Sequence, residues 1–247
     1  MFFKKVKQIE MKIALLGYGK MGKEIETAAM EQEHEIVLRI NSKNFSTLTS
    51  SQLKIADVVI EFSKPDVVLQ NIALCFDANI PVVVGTTGWY NKLQEVKKLC
   101  SEKNGSFLFA SNFSIGVNLF FALNKFLAEQ MKNKTAYKPS VQETHHTHKL
   151  DKPSGTAITL ANEIIANNSS VKKWNLNDES DSLKINSIRE GEVTGSHTVS
   201  YISAIDKIEI THEAFSRKGF AQGAVHAAKW LHGKKGFYEF KDVLSEI

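Results

Sequence analysis

Short apolar runs alternate with helical-period segments through the first half of the chain. Apolar runs occur at residues 12–16, 34–40, 55–62, 80–85 and 106–110. Each is four to eight residues long, the length of a buried strand, and shows little polar interruption. Between them, residues 20–30 and a stretch ending near Glu102 repeat apolar positions every three to four residues. Ser63-Lys-Pro-Asp66 reads as the opening of a further helix, with Pro65 in its first turn. Strand–helix alternation of this kind predicts a parallel, doubly wound sheet. Ligands bind such sheets outside the carboxyl ends of the strands. The segments at 17–22, 62–63, 85–87 and 110–113 should therefore share one rim.

The pattern changes after residue 113. A helix is predicted from Gly116 to about Lys132, then a strand over 137–144. A second helix follows Pro153, with Ala157, Leu160, Ala161, Ile164 and Ile165 on its apolar face. Residues 167–182 are polar and loop-like. Strands follow at 182–188, 195–203 and 206–214, where His197, Val199 and Tyr201 alternate with Thr198, Ser200 and Ile202. That alternation predicts an open mixed or antiparallel sheet in a second, α+β domain. A final helix, 219–231, returns onto the first domain. The expected division is residues 1–113 with 217–247 as a dinucleotide-binding domain, and 114–216 as a substrate-binding and oligomerisation domain. A sheet with one bare face needs a partner.

The first strand runs directly into Gly17-Tyr-Gly19-Lys-Met-Gly22 and then into a helix. This strand–Gly-x-Gly-x-x-Gly–helix context is that of a Rossmann-type dinucleotide site. Gly17 allows the tight turn, Gly19 lets a pyrophosphate approach, and Gly22 permits close helix–strand packing. Tyr18, Lys20 and Met21 lie in the same loop. No acidic residue follows the second strand to hold ribose hydroxyls. Arg39 and Lys43 stand there instead, which favours the 2′-phosphate of NADPH, with NADH also usable.

The densest chemistry lies in Glu143-Thr-His-His-Thr-His-Lys149, where three histidines and a lysine fill five positions. If the chain stays extended, Glu143, His145 and Lys149 share one face, and His146 and His148 the other. Ser154 is a suitable N-cap for the following helix. Gly155 and Thr156 then fall in its first turn, where free N–H groups and the helix dipole form an anion site. Proton-carrying groups beside an anion site suit an acidic small molecule. No metal is expected: Glu143 could assist as a ligand, but consecutive histidines point to opposite faces.

Composition narrows the partners. The net charge of +4 over 247 residues fits an anionic substrate and cofactor. There is no basic stripe interleaved with aromatics, so no nucleic-acid partner is expected. Residues 1–10 alternate charged and apolar character. No apolar run reaches membrane or signal-peptide length. Cys75 and Cys100 are isolated in helical stretches and read as buried thiols of a cytoplasmic protein.

Several motifs together resemble the 4-hydroxy-tetrahydrodipicolinate reductase family. They include the glycine loop, Glu61-Phe-Ser-Lys-Pro65, Gly85-Thr-Thr-Gly88, Ser111-Asn-Phe-Ser-Ile-Gly-Val-Asn118 and the histidine run with Lys152-Pro-Ser-Gly-Thr156. Arg189-Glu-Gly-Glu-Val-Thr-Gly-Ser-His197 and Ile210-Thr-His-Glu-Ala-Phe-Ser-Arg217 extend the likeness over almost the whole chain. The resemblance implies NAD(P)H-dependent reduction of 4-hydroxy-2,3,4,5-tetrahydrodipicolinate in lysine and diaminopimelate biosynthesis. It implies His145 as general acid/base, Lys149 as proton donor, and His146, Gly155 and Thr156 as substrate-binding. It places Gly85, Thr86 and Thr87 in the nicotinamide-side loop. It places Ala110, Ser111, Asn112 and Phe113 in the segment closing over the ring, and it implies a homotetramer. Tyr18 departs from the small residue usual in the glycine loop. The rival readings are a related amino-acid dehydrogenase and a non-catalytic nucleotide-binding module, and the second leaves the clustering of His145 and Lys149 unexplained.

Overall fold

The structure, a computed structural model, describes residues 10–246. The charge-alternating opening, residues 1–9, lies outside the described residues. Contacts divide the chain into two compact units: residues up to Ser114 with those from Lys218 onwards, and Ile115–Arg217.

The first unit opens with β1 (Lys12–Leu16), α1 (Lys20–Glu31), β2 (Glu35–Ile40), α2 (Ser50–Leu53), β3 (Val58–Glu61), α3 (Val68–Ala78), β4 (Val82–Val84), α4 (Leu93–Glu102) and β5 (Ser106–Phe109). The second unit contains α5 (Ile115–Met131), β6 (Lys138–His145), α6 (Gly155–Asn167), β7 (Lys173–Asn175), β8 (Ser182–Arg189), β9 (Ser196–Ile202) and β10 (Lys207–Glu213). The chain then completes the first unit with α7 (Lys218–Leu231), β11 (Gly236–Glu239) and α8 (Phe240–Leu244).

In the first unit six parallel strands run in the order β11-β5-β4-β3-β1-β2. β3 and β4 are buried at every position, which is why they read as unbroken apolar runs. Alternate residues supply two cores. Ile13, Leu15, Ile60, Val83 and Leu108 face one side with residues of α1, α7 and α8. Ala14, Leu16, Val59, Val82, Val84 and Phe107 face the other with residues of α2, α3 and α4. Each buried methylene here contributes about 0.8 kcal/mol.

The second unit is a mixed sheet in the order β10-β9-β6-β8-β7. β6 pairs antiparallel with β9 and parallel with β8, which sets His145 opposite Arg189. α5 and α6 pack on one face through Phe120, Ala128, Leu160, Ala161 and Ile164, against Val141, Ile185, Val199 and Tyr201.

Two expectations change. Pro65 does not start a helix: α3 begins at Val68, because residues 63–67 form turns and the N–H groups of Val67 and Val68 both go to Lys64 O. The polar stretch after α6 contains a short edge strand, β7. Beyond α7 the chain adds β11, whose Phe237 stacks on Phe107 with ring centroids 5.0 Å apart, and the capping-box helix α8.

Glu61 closes β3 with no exposed surface. Its Oε1 accepts from Ser63 N at 3.2 Å, Asn71 Nδ2 at 3.0 Å and the Ser63 hydroxyl. Glu61 Oε2 and Asn71 Oδ1 have no hydrogen-bond partner. Burial raises the carboxyl's pKa against the opposing hydrogen bonds from Ser63, Thr86 and Asn71. Protonation at Oε2 would spare this buried, unpartnered oxygen the cost of a charge. The native pKa lies above the unfolded one, so this stability is present at acid pH and is lost as pH rises through the native value. Glu61→Gln carries a permanent donor. Thermal melts should show the variant gaining on the wild type as pH rises above 4.5. A constant difference in Tm across pH would mean that Glu61 is charged in the fold.

Candidate active site

β6 brings Glu143 and His145 to the buried face of the second sheet, two residues apart as strand alternation requires. His145 Nδ1 faces Glu143 Oε2 in hydrogen-bond contact, and against a charged carboxylate that nitrogen is the donor. The other oxygen, Oε1, accepts from Arg189 Nη1 at 3.0 Å, Ser154 N at 3.3 Å and the Ser187 hydroxyl. Burial opposes the charge on Glu143, but the hydrogen bonds from His145, Ser187 and Arg189 outweigh it and hold the carboxyl down at about 2. Glu143 is therefore a fixed anion.

The chain leaves the extended path after His145. Lys149 N bonds to His146 O at 3.1 Å and Thr147 N to Gly191 O at 3.1 Å, so residues 146–149 form a turn. The alternation that would have set Lys149 on the face of His145 stops there. Lys149 is instead placed by its neighbours: Nζ donates to Asp151 Oδ1 at 2.8 Å, and its carbonyl accepts from Arg189 Nε at 3.3 Å. Arg189 Nη2 also donates to Asp151 O at 2.6 Å. One guanidinium thus ties the lysine turn to the carboxylate that holds His145. His146 Nδ1 has no partner, and burial together with the nearby Arg217 charge lowers that ring's pKa. His148 is exposed beside Glu192.

Ser154 caps α6, its Oγ accepting from Ala157 N at 3.2 Å and lying 3.0 Å from His197 Nε2. Gly155 is exposed and Thr156 partly so, which leaves the first turn of α6 open to an anion. The His197 ring sits 5.0 Å from that of His145. Burial first, and then the His145 charge, push His197 down to about 3, so it stays neutral and does not compete for the proton. Glu143, His145 and His197 present ligand-type atoms within 4.8 Å of one another. The carboxylate of this cluster already accepts from donors that include a guanidinium.

The first unit carries a cleft of about 400 Å³ at the carboxyl ends of β1, β2 and β3, lined by Gly17, Tyr18, Gly19, Asn41, Ser42 and Ser63 among others. Gly17 has φ +99°, and a Cβ there would lie 2.1 Å from Phe62 O. Gly22 packs under the Gly17 carbonyl, and space is open where Gly19 would carry a Cβ. The first turn of α1 has no side-chain cap and no acidic residue. Its free N–H groups and that open space fit a pyrophosphate. Lys20 is exposed, whereas Met21 packs towards the core.

The remaining predicted cofactor residues divide. Thr87 and Ser111 are exposed on the same rim. Thr86 is buried and accepts from Ser63 N at 2.8 Å, and Gly85 seats the Phe62 ring. Ala110 is buried, and Asn112 Oδ1 accepts from Ser114 N at 2.8 Å. Phe113 is a core residue between Phe62 and Phe240, so its ring serves packing. Arg39 and Lys43 are exposed and do not line the cleft. The end of β2 is also less free of acid than its own sequence indicates, because Glu26 reaches Arg39 from α1.

Two family patterns match the chain. Dihydrodipicolinate reductase, N-terminus, matches residues 11–113, and its C-terminus counterpart matches residues 116–244. The chain belongs to the dihydrodipicolinate reductase family. It is 47% identical over 238 residues to 4-hydroxy-tetrahydrodipicolinate reductase of Christiangramia forsetii, covering 96% of this chain and 99% of that one. It is 40% identical over 200 residues to the Pseudomonas fluorescens enzyme of the same name, covering 76% and 73%. The solved dipicolinate-bound dihydrodipicolinate reductase from Paenisporosarcina sp. TG-14 superposes with a TM-score of 0.75 at 22% identity, covering 95% and 99%, and bears on the fold alone. Membership makes the chain an oxidoreductase of lysine and diaminopimelate biosynthesis that uses a nicotinamide nucleotide.

Arg189, Ser187 and His197 also gather around the Glu143–His145 pair, a placement that their positions in the sequence do not signal. Gly195 belongs with them: a Cβ there would lie 3.0 Å from His145 Nε2. Gly195→Ala should push against the ring's outward nitrogen and lower kcat by roughly tenfold or more, as small misplacements of catalytic groups do. Nucleotide affinity, measured by fluorescence titration, should not change. Unaltered turnover would mean that His145 Nε2 needs no such clearance.

Proposed function

We propose that the first unit binds NAD(P)H through the glycine loop and that the second binds and protonates 4-hydroxy-2,3,4,5-tetrahydrodipicolinate. The observation that carries this reading is the buried Glu143–His145 pair, tied through Arg189 to the turn bearing Lys149. The substrate loses its 4-hydroxyl as water, and the bound nucleotide would supply a hydride to the conjugated carbon–carbon double bond that remains. His145, held at Nδ1 by a permanent carboxylate, presents Nε2 for proton exchange. Lys149 offers a cation where negative charge develops on the reduced ring, and a proton to quench it. The open first turn of α6 at Gly155 and Thr156, with His146, takes a substrate carboxylate. NADPH is the preferred nucleotide and NADH also serves, with Lys43 just beyond β2 and Arg39 at its end held by Glu26.

The exposed apolar residues Ile202, Ile205 and Ile208 of the β9–β10 hairpin support a homotetramer built on the second sheet. Two free, buried cysteines support a cytoplasmic location. No described helix is long and apolar enough to cross a membrane.

The test is a coupled assay with freshly made dihydrodipicolinate synthase product and either nucleotide. Wild type should turn it over, and His145→Gln and Lys149→Ala should each lower kcat by about 10²-fold. Their nucleotide affinity should stay near normal, since both lie in the second unit. Two variants with wild-type turnover would remove these residues from the chemistry.

A further inference from the structure

The Rossmann unit contains a polar cluster that the reduction itself does not use. Tyr18 stands in the glycine loop, Glu26 on α1 and Arg39 near the end of β2. Arg39 Nε donates to Glu26 Oε1 at 2.8 Å, and Nη2 donates to the same oxygen. The Tyr18 hydroxyl donates to Glu26 Oε2. Arg39 Nη1 donates to Ile36 O at 3.2 Å, and the guanidinium carbon lies 6.0 Å from the centre of the Tyr18 ring. Both carboxylate oxygens are occupied, and every guanidinium nitrogen has an acceptor.

This is more than a solvated surface pair. The Glu26 side chain is only 16% exposed and is shared by two donors from separate elements. The hydrogen bond from Arg39 outweighs burial and keeps the Glu26 carboxyl below its ordinary value, so it is charged. The cluster adjoins the cleft directly. Tyr18 lines it, and so do Ile40, Asn41 and Ser42, the residues that follow Arg39. Arg39 itself does not. A 2′-phosphate at this edge would have to break a forked, charge-assisted contact to recruit the guanidinium, and would meet a carboxylate beside it.

We propose that Glu26, with Tyr18 as its second anchor, is the specificity determinant for the nucleotide: it keeps Arg39 engaged and so limits how far this reductase favours NADPH over NADH. The proposal rests on the reading that the cleft of the first unit binds NAD(P)H. Asn41 and Ser42 present uncharged groups to the ribose edge, which suits both nucleotides. Removing the charge of Glu26 frees the guanidinium for a 2′-phosphate and leaves Asn41 and Ser42, which face a plain ribose, as they are.

The test separates nucleotide choice from catalysis. Calorimetry with 2′,5′-ADP and 5′-AMP reads the ribose edge alone. Glu26→Gln preserves side-chain size, and Glu26→Ala serves if that variant folds poorly. Either should tighten 2′,5′-ADP about tenfold and leave 5′-AMP within twofold, a gain equal to one charge-assisted contact. The ratio of kcat/KM for NADPH over NADH should rise by a similar factor. Adding Arg39→Ala to Glu26→Gln should erase the gain. An unchanged 2′,5′-ADP to 5′-AMP ratio in both Glu26 variants would overturn the proposal. So would a gain that survives Arg39→Ala. If wild type binds neither compound, the cofactor reading itself falls, and the role of Glu26 falls with it.

Discussion

One buried carboxylate organises the second unit. A charged Glu143 with no exposed surface is costly unless donors replace its lost water, and four side-chain or backbone donors do so. Those donors come from three parts of the unit. His145 lies two residues along β6, Ser187 and Arg189 lie on the adjacent β8, and Ser154 N lies at the start of α6. Satisfying the charge therefore fixes the end of the strand, the neighbouring strand and the helix entry together. The imidazole orientation and the position of the lysine turn follow from it.

The nucleotide unit uses a different device. Its site is mostly backbone: glycines that let chain segments approach, and a helix start with free N–H groups. Side chains matter at its edges, where Glu61 bonds the Ser63 turn and Glu26 holds Arg39. In both units a carboxylate determines what a neighbouring functional group is free to do. In one it aims an imidazole, and in the other it occupies a guanidinium.

The legible parts of the sequence were the local ones. Unbroken apolar runs revealed the parallel sheet because β3 and β4 are buried on both faces. The glycine loop and the Ser154 cap were legible because each motif lies within a few residues of what it binds. The reach of Arg189 to Glu143 spans 46 residues, and that of Arg39 to Glu26 spans 13, so neither leaves a periodic trace. Their signal is the register of β6 against β8 and the packing of α1 beside β2, which only the folded chain sets. The histidine run misled in one respect: strand alternation was carried past His145, where the chain turns. Phe113 misled in another, since a segment implied by family likeness to close on the cofactor gives its ring to the core.

The central claim is that a permanently charged Glu143 fixes the His145 ring through Nδ1 and leaves Nε2 for the proton. Nitrogen-15 NMR of the ring nitrogens, in protein labelled at histidine, tests it directly. In its neutral form the His145 ring should give a protonated Nδ1 and an unprotonated Nε2, and Glu143→Gln should disturb that tautomer while leaving the His197 signals neutral. A wild-type ring protonated at Nε2 with a bare Nδ1 would contradict the account, because Glu143 would then have no proton to accept and His145 no fixed aim.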